Sequence, residues 1–110
     1  MKYFPIVFLA ISVCAPVGAM ADDRADYCAG IAEYSQQLMF IRQMGQSMES
    51  QMRSALYKFD TEAEQTAAQA LVQEAWAVEL NSTSKKQQKQ IKRFGESTEE
   101  ACLAGKIFPL

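Results

Sequence analysis

The chain has 110 residues, 11 Lys/Arg against 13 Asp/Glu, and no histidine. That length supports one compact domain, and the net charge of −2 is too mild to point to nucleic acid. The lack of histidine removes the usual general base and the commonest metal ligand.

Residues 1–21 read as a secretory signal peptide. Lys2 supplies the positive start, Ile6 to Val13 is mainly apolar, Pro16 and Gly18 break the helix, and Ala19-Met20-Ala21 has the small-x-small form of a cleavage site. The apolar run is about half the ~20 residues that a membrane span needs, so cleavage after Ala21 is expected. A lipoprotein reading would use Cys14, but Ile11-Ser12-Val13 lacks the small residue usual before an acylated cysteine. Loss of the leader removes one cation, Lys2, and leaves residues 22–110 with a net charge of −3. They are expected to form a single soluble domain in the periplasm or outside the cell.

No stretch of this domain alternates with period two for long, and no proline falls between Pro16 and Pro109. The pattern predicts four helices. The first runs from about Arg24 to Met44, with Tyr27, Ile31, Tyr34, Leu38 and Ile41 on one stripe. Gly45 suits a C′ cap, and the Ser47 hydroxyl can start a second helix carrying Met48, Met52, Ala55, Leu56 and Phe59. Asp60-Thr61 caps a third, with Ala67, Leu71, Ala75 and Val78 inward and Val72, Trp76 and Leu80 pointing elsewhere. After the polar loop Asn81-Ser82-Thr83-Ser84, the last helix turns Ile91, Phe94, Thr98, Ala101 and Cys102 inward.

With Cys14 gone in the leader, Cys28 and Cys102 remain, in a compartment where disulfides persist. Antiparallel packing of the first and last helices brings these two positions together, so one structural disulfide is expected, worth about 4 to 5 kcal/mol by loop closure. No C-x-x-C motif favours a redox role. The fold class is therefore all-α, a small bundle of about four helices tied by one disulfide after a signal peptide.

A leader, a cysteine opening the first helix, "RQMGQS" (42–47) at the first turn, "AWAVEL" (75–80) before a polar loop and a closing "FGESTEEAC" (94–102) make up a recognisable plan. It resembles small exported α-helical proteins of proteobacteria, families without an established activity. The resemblance implies a fold and no chemistry. Type II secretion pilotins have a similar plan, but they are lipoproteins and the lipobox here is poor.

Few residues are placed for chemistry. The acidic pairs Glu62/Glu64 and Glu99/Glu100 sit in polar runs that solvate them, no glycine-rich phosphate loop occurs, and no cofactor is implied. Met44, Met48 and Met52 at four-residue spacing could offer thioethers to Cu(I), but Gly45 and Ser47 interrupt the row, and core packing is the expected use. Arg42 falls near the apolar stripe, where it either snorkels past the helix end or pairs with Glu74 or Glu79. Phe40 projects opposite Leu38, among Glu33, Gln36 and Gln37, with Met44 one turn on. Together with Trp76 and Leu80 it is either packed internally, where the apolar tail Ile107-Phe108 also needs a resting place, or part of an exposed partner-binding groove. Lys85, Lys86, Lys89, Lys92 and Arg93 share one side of the last helix. They are either a solvated face or an anion-binding one, and the first-turn lysines oppose the helix dipole.

These features lead to an exported, non-catalytic binding or adaptor protein that contacts an envelope protein through Phe40, Met44, Trp76 and Leu80. The competing reading is an accessory protein that docks on anionic lipid or polymer through the basic helix face. A homodimer using the apolar surface is a third reading, and nucleic acid is not expected as a partner.

Overall fold

Helix formers run without a proline from Val17 to Phe108, so the caps divide this chain. The computed structural model describes the backbone of residues 3–109 and the side chains of residues 23–109. Within them lie α1 (Tyr3–Gln43), α2 (Met48–Lys58), α3 (Glu62–Ala77) and α4 (Ser84–Leu103). Gly45 adopts φ +80 and ends α1 in a Schellman motif: its N–H donates to Arg42 O at 2.9 Å, and that of Gln46 donates to Ile41 O at 3.3 Å. Gly105, at φ +74, closes α4 in the same way through Cys102 O and Ala101 O. Thr61 and Glu64 form a full capping box at the start of α3, and the Thr83 hydroxyl accepts the Lys86 N–H at 3.2 Å to start α4.

Two expected boundaries are corrected. The backbone of α1 begins well before Arg24 and stays helical through Pro16 and Gly18. An internal proline costs one helical hydrogen bond, and helix-forming flanks on both sides carry the turn through. Ser47 precedes α2 without a side-chain cap, and its carbonyl instead accepts Ser50 Oγ at 3.5 Å. The side chains of residues 1–22, and with them the expected signal peptide and its cleavage point, lie outside the described residues.

The main interface joins the two ends of the chain, with α4 antiparallel to α1. Cys28 and Cys102 form the expected disulfide, with Cα atoms 5.6 Å apart and both residues fully buried. Inward from the bridge, Cys28, Ala32, Ser35 and Met39 on α1 and Cys102, Thr98, Gly95 and Ile91 on α4 repeat the same four-three-four spacing. The seam is narrow because most of its residues are small. A Cβ added at Gly95 would lie 2.6 Å from Gln36 Cγ, so the Gln36 side chain of α1 rests directly on the bare glycine backbone of α4. Ser35 and Thr98, both buried, return their hydroxyls to Ala32 O (2.7 Å) and Phe94 O (2.8 Å) of their own helices. The inward stripe of α4 is therefore centred on Gly95, Thr98 and Cys102, and the expected core residues Ile91, Phe94 and Ala101 are only half-buried at its edge.

On its other flank α1 meets α3, which in turn carries α2. Ala68, Leu71, Val72 and Ala75 of α3 are buried. Val72, off the Leu71 stripe, is buried as internal packing requires, because α3 lies between two helices and packs on both sides. In α2 only Ala55 is fully buried, Met48, Met52 and Phe59 lean on the core, and Leu56 is 48% exposed rather than inward. The tail Ile107-Phe108 folds under α2, where Phe108, at φ +55, packs its ring 5.4 Å from Phe59, which stacks edge-on against Tyr34. It therefore fills the core at the disulfide end, away from Phe40.

Candidate binding surface

The opposite end of the bundle, where α1 and α3 finish and α4 begins, is held by polar side chains. Gln43, 94% buried, donates from Nε2 to Glu79 O at 3.0 Å and accepts the Asn81 N–H on Oε1 at 2.8 Å. Gln87 of α4 donates to Asn81 O at 2.8 Å. One amide from each flanking helix thus holds the loop between α3 and α4, using the ability of glutamine both to donate and to accept. Arg42 neither snorkels free nor relies on Glu74 or Glu79: its Nε–H donates to Val78 O at 3.0 Å. It places a cation on the last carbonyls of α3, near the end of its own helix, where both dipoles favour positive charge. The Trp76 indole N–H donates to Gln46 O at 3.0 Å, tying α3 to the turn after α1.

Around this clamp the apolar side chains are left in water. Phe40 is 54% exposed, Met44 60% and Leu80 53%, whereas Trp76 is half-buried against the core. Leu80 lies between the two residues that Gln43 joins, Met44 follows Gln43 on α1, and Phe40 lies one turn down α1 in a shallow depression with Glu33, Gln36, Gln37 and Ile41. The clamp therefore gathers Met44, Trp76 and Leu80 at one end and leaves Phe40 on the adjoining outer face of α1. Exposed Met44 is separated from Met48 and Met52, which pack on the core, so the three thioethers do not form one cluster. Lys85, Lys86, Lys89, Lys92 and Arg93 are all exposed on α4. The first turn of that helix carries no acidic residue.

Among the described residues, titration shifts fall at the other end. Tyr27 donates its hydroxyl to Glu64 Oε2 at 2.8 Å. Burial, the hydrogen bond and the nearby carboxylate together push the phenol up to about 12. The same hydrogen bond holds the Glu64 carboxyl below its ordinary range, helped by Thr61. Glu64 thus serves a helix cap and a cross-helix link, and only Glu62 of that pair is simply solvated. Burial alone pushes Tyr34 up to about 12. Among the described residues no group of three or more His, Cys, Asp or Glu could hold a metal ion. No described helix is long and apolar enough to cross a membrane.

The polar clamp of Gln43, Asn81 and Gln87 was not anticipated from sequence. The available signal was the position of Gln43, one turn past Met39 on the inward side of α1, where an amide needs a partner. No protein-family model matches the chain, and no curated protein and no solved structure is significantly similar to it.

Proposed function

We propose that this is an exported, non-catalytic helical binding protein of the cell envelope that holds a protein partner at the clamped end of the bundle. The observation that carries the reading is the exposure of Phe40, Met44 and Leu80, each more than half in solvent, around a framework fixed by Gln43, Arg42 and Trp76. Rigid support beneath exposed large apolar side chains is what an interaction surface requires, because the ordering cost is met before the partner arrives. Export fits the signal-peptide pattern of residues 1–21 and a structural disulfide, which persists in oxidising compartments. The resemblance to exported helical proteins of proteobacteria supports the same setting.

A second reading, docking on anionic lipid or polymer, draws on exposed Lys85 and Lys86 in a helix turn whose dipole repels cations. Affinity capture from envelope extracts separates the two. With Phe40→Ser/Met44→Gln, captured protein should disappear while circular dichroism stays unchanged. Capture that survives this change but is lost with Lys85→Gln/Lys86→Gln, together with salt-sensitive binding to anionic vesicles, would favour the lipid or polymer surface.

A further inference from the structure

We propose that the outer face shared by α1 and α4 is self-complementary, and that it joins two copies of this chain about a two-fold axis, α1 antiparallel to α1 and α4 antiparallel to α4.

On α4, Lys85, Lys89, Lys92, Glu96, Glu99 and Leu103 follow one another at three- and four-residue spacing and form a single outer ridge. Its N-terminal half is wholly basic and its C-terminal half acidic, the reverse of what the helix dipole favours at either end. Intrahelical stability therefore does not account for the pattern. On α1 the corresponding ridge is Glu33, Gln37, Phe40 and Met44, all exposed. The two ridges border the same seam, because Gln36, beside one, presses on Gly95, beside the other.

A charge gradient along a ridge is complementary to its own copy only when the copy is reversed. An axis near Lys92 sets Lys85 opposite Glu99 of the second copy and Lys89 opposite Glu96. An axis near Leu38 sets Met44 opposite Glu33 of the second copy and Phe40 opposite Gln37. These are one axis: counted inward from the Cys28–Cys102 bridge, Leu38 and Lys92 are each ten residues away on their helices. Leu103, 44% exposed, ends the acidic half of the ridge. Phe40, Met44 and Leu103 are three of the six large apolar residues that stand exposed among the described residues, and they lie on the two ridges that this contact brings together. Such an isologous contact between two helix pairs makes an intermolecular four-helix bundle. Lys92 alone meets its own copy across the axis, a like-charge repulsion between the two sets of ion pairs.

The inference goes beyond the envelope-partner reading and competes with it for Phe40 and Met44, so a partner would have to displace the second copy. The test is sedimentation equilibrium of the disulfide-bonded protein expressed from its full-length chain. A monomer–dimer equilibrium is expected that shifts to monomer as salt rises, since exposed ion pairs are screened. Lys85→Glu/Lys89→Glu should weaken the dimer roughly 10- to 100-fold, as should Glu96→Lys/Glu99→Lys, because each change strikes both halves of a two-fold contact. The fourfold swap should restore the homodimer yet fail to mix with the original chain. Lys92→Gln should tighten association. Lys85, Lys89, Lys92 and Glu96 are exposed and Glu99 is half-buried, and unchanged circular dichroism checks that the variants fold. A chain that stays monomeric at its highest soluble concentration in low salt, or a dimer indifferent to the swaps, would overturn the inference. A Lys92→Gln variant that associates less would do the same. A monomer that still captures an envelope protein would remove this inference and leave the docking reading standing.

Discussion

Replacing both bridge cysteines, Cys28→Ala/Cys102→Ala, opens a covalent loop that spans 74 residues of sequence separation. In the chain-entropy treatment, closing a loop of that length stabilises the fold by about 4.5 kcal/mol, because it restricts the unfolded chain. Both residues are fully buried in a seam that is already narrow. Two lost sulfur atoms therefore leave small voids, adding about 1 kcal/mol in all. A total near 5 kcal/mol compares with a net stability of roughly 5 to 15 kcal/mol for a domain of this kind and corresponds to a melting-temperature drop of about 20 to 30 °C. The assay is thermal unfolding followed by far-ultraviolet circular dichroism, paired with urea titration. If the effect acts through the unfolded state, the urea m-value should rise, because the open chain exposes more surface. A melting-temperature change of less than about 5 °C would show that the staple is not what holds the outer helices together. A large drop with an unchanged m-value would refute the entropic account and move the effect into native packing.

Gln43→Leu should cost about 1 to 3 kcal/mol by leaving the Asn81 N–H and Glu79 carbonyl unpaired, and amide exchange should quicken at Asn81 while the disulfide end stays protected. Exchange unchanged at Asn81 would mean that Gln43 is not the clamp. Gly95→Ala should be close to neutral, since about 1 kcal/mol of helix propensity offsets moving the Gln36 side chain. Gly95→Val, with more volume in the seam, should cost about 2 kcal/mol in urea unfolding, and equal stability of the two variants would disprove the close approach. Tyr27 and Tyr34 are both raised from about 10 to about 12, so the fold favours the neutral phenols. Their contribution is whole below pH 10 and is lost as pH climbs through 12. Phenolate absorbance and helicity followed against pH should show both tyrosines ionising late and the helices failing with them. Early ionisation of every tyrosine in a folded chain would contradict this.

The four helices could be read from sequence because their ends carry local chemistry: Gly45 for a positive φ, Thr61 with Glu64 for a capping box, and a polar run before α4. The disulfide followed from antiparallel packing of the outer helices. What escaped depended on neighbours outside any one helix. Phe94 is larger and more apolar than Gly95 and so claims the core face in a periodicity argument, yet close approach of α1 gives that place to the glycine. Phe40 could not be decided, because its burial depended on where Phe108 came to rest, and that residue went to Phe59. Arg42 had a carboxylate within reach of any sequence argument but took a backbone carbonyl, a partner that composition does not reveal.

The α1–α4 seam joins segments from opposite ends of the sequence, whereas α2 and α3 are consecutive neighbours. Contacts of such different contact order form at different rates: the local α2–α3 hairpin needs little loop closure, and the seam needs almost all of it. Folding should thus start from the middle of the chain and finish at its margins, with the cysteines meeting last. Until they do, α4 of one molecule can settle on α1 of another and make the same seam, so crowded, reducing conditions favour exchanged helices. Once the bridge has formed within one chain, that exchange is closed, and the cross-link then acts as a kinetic record of which molecule each helix belongs to.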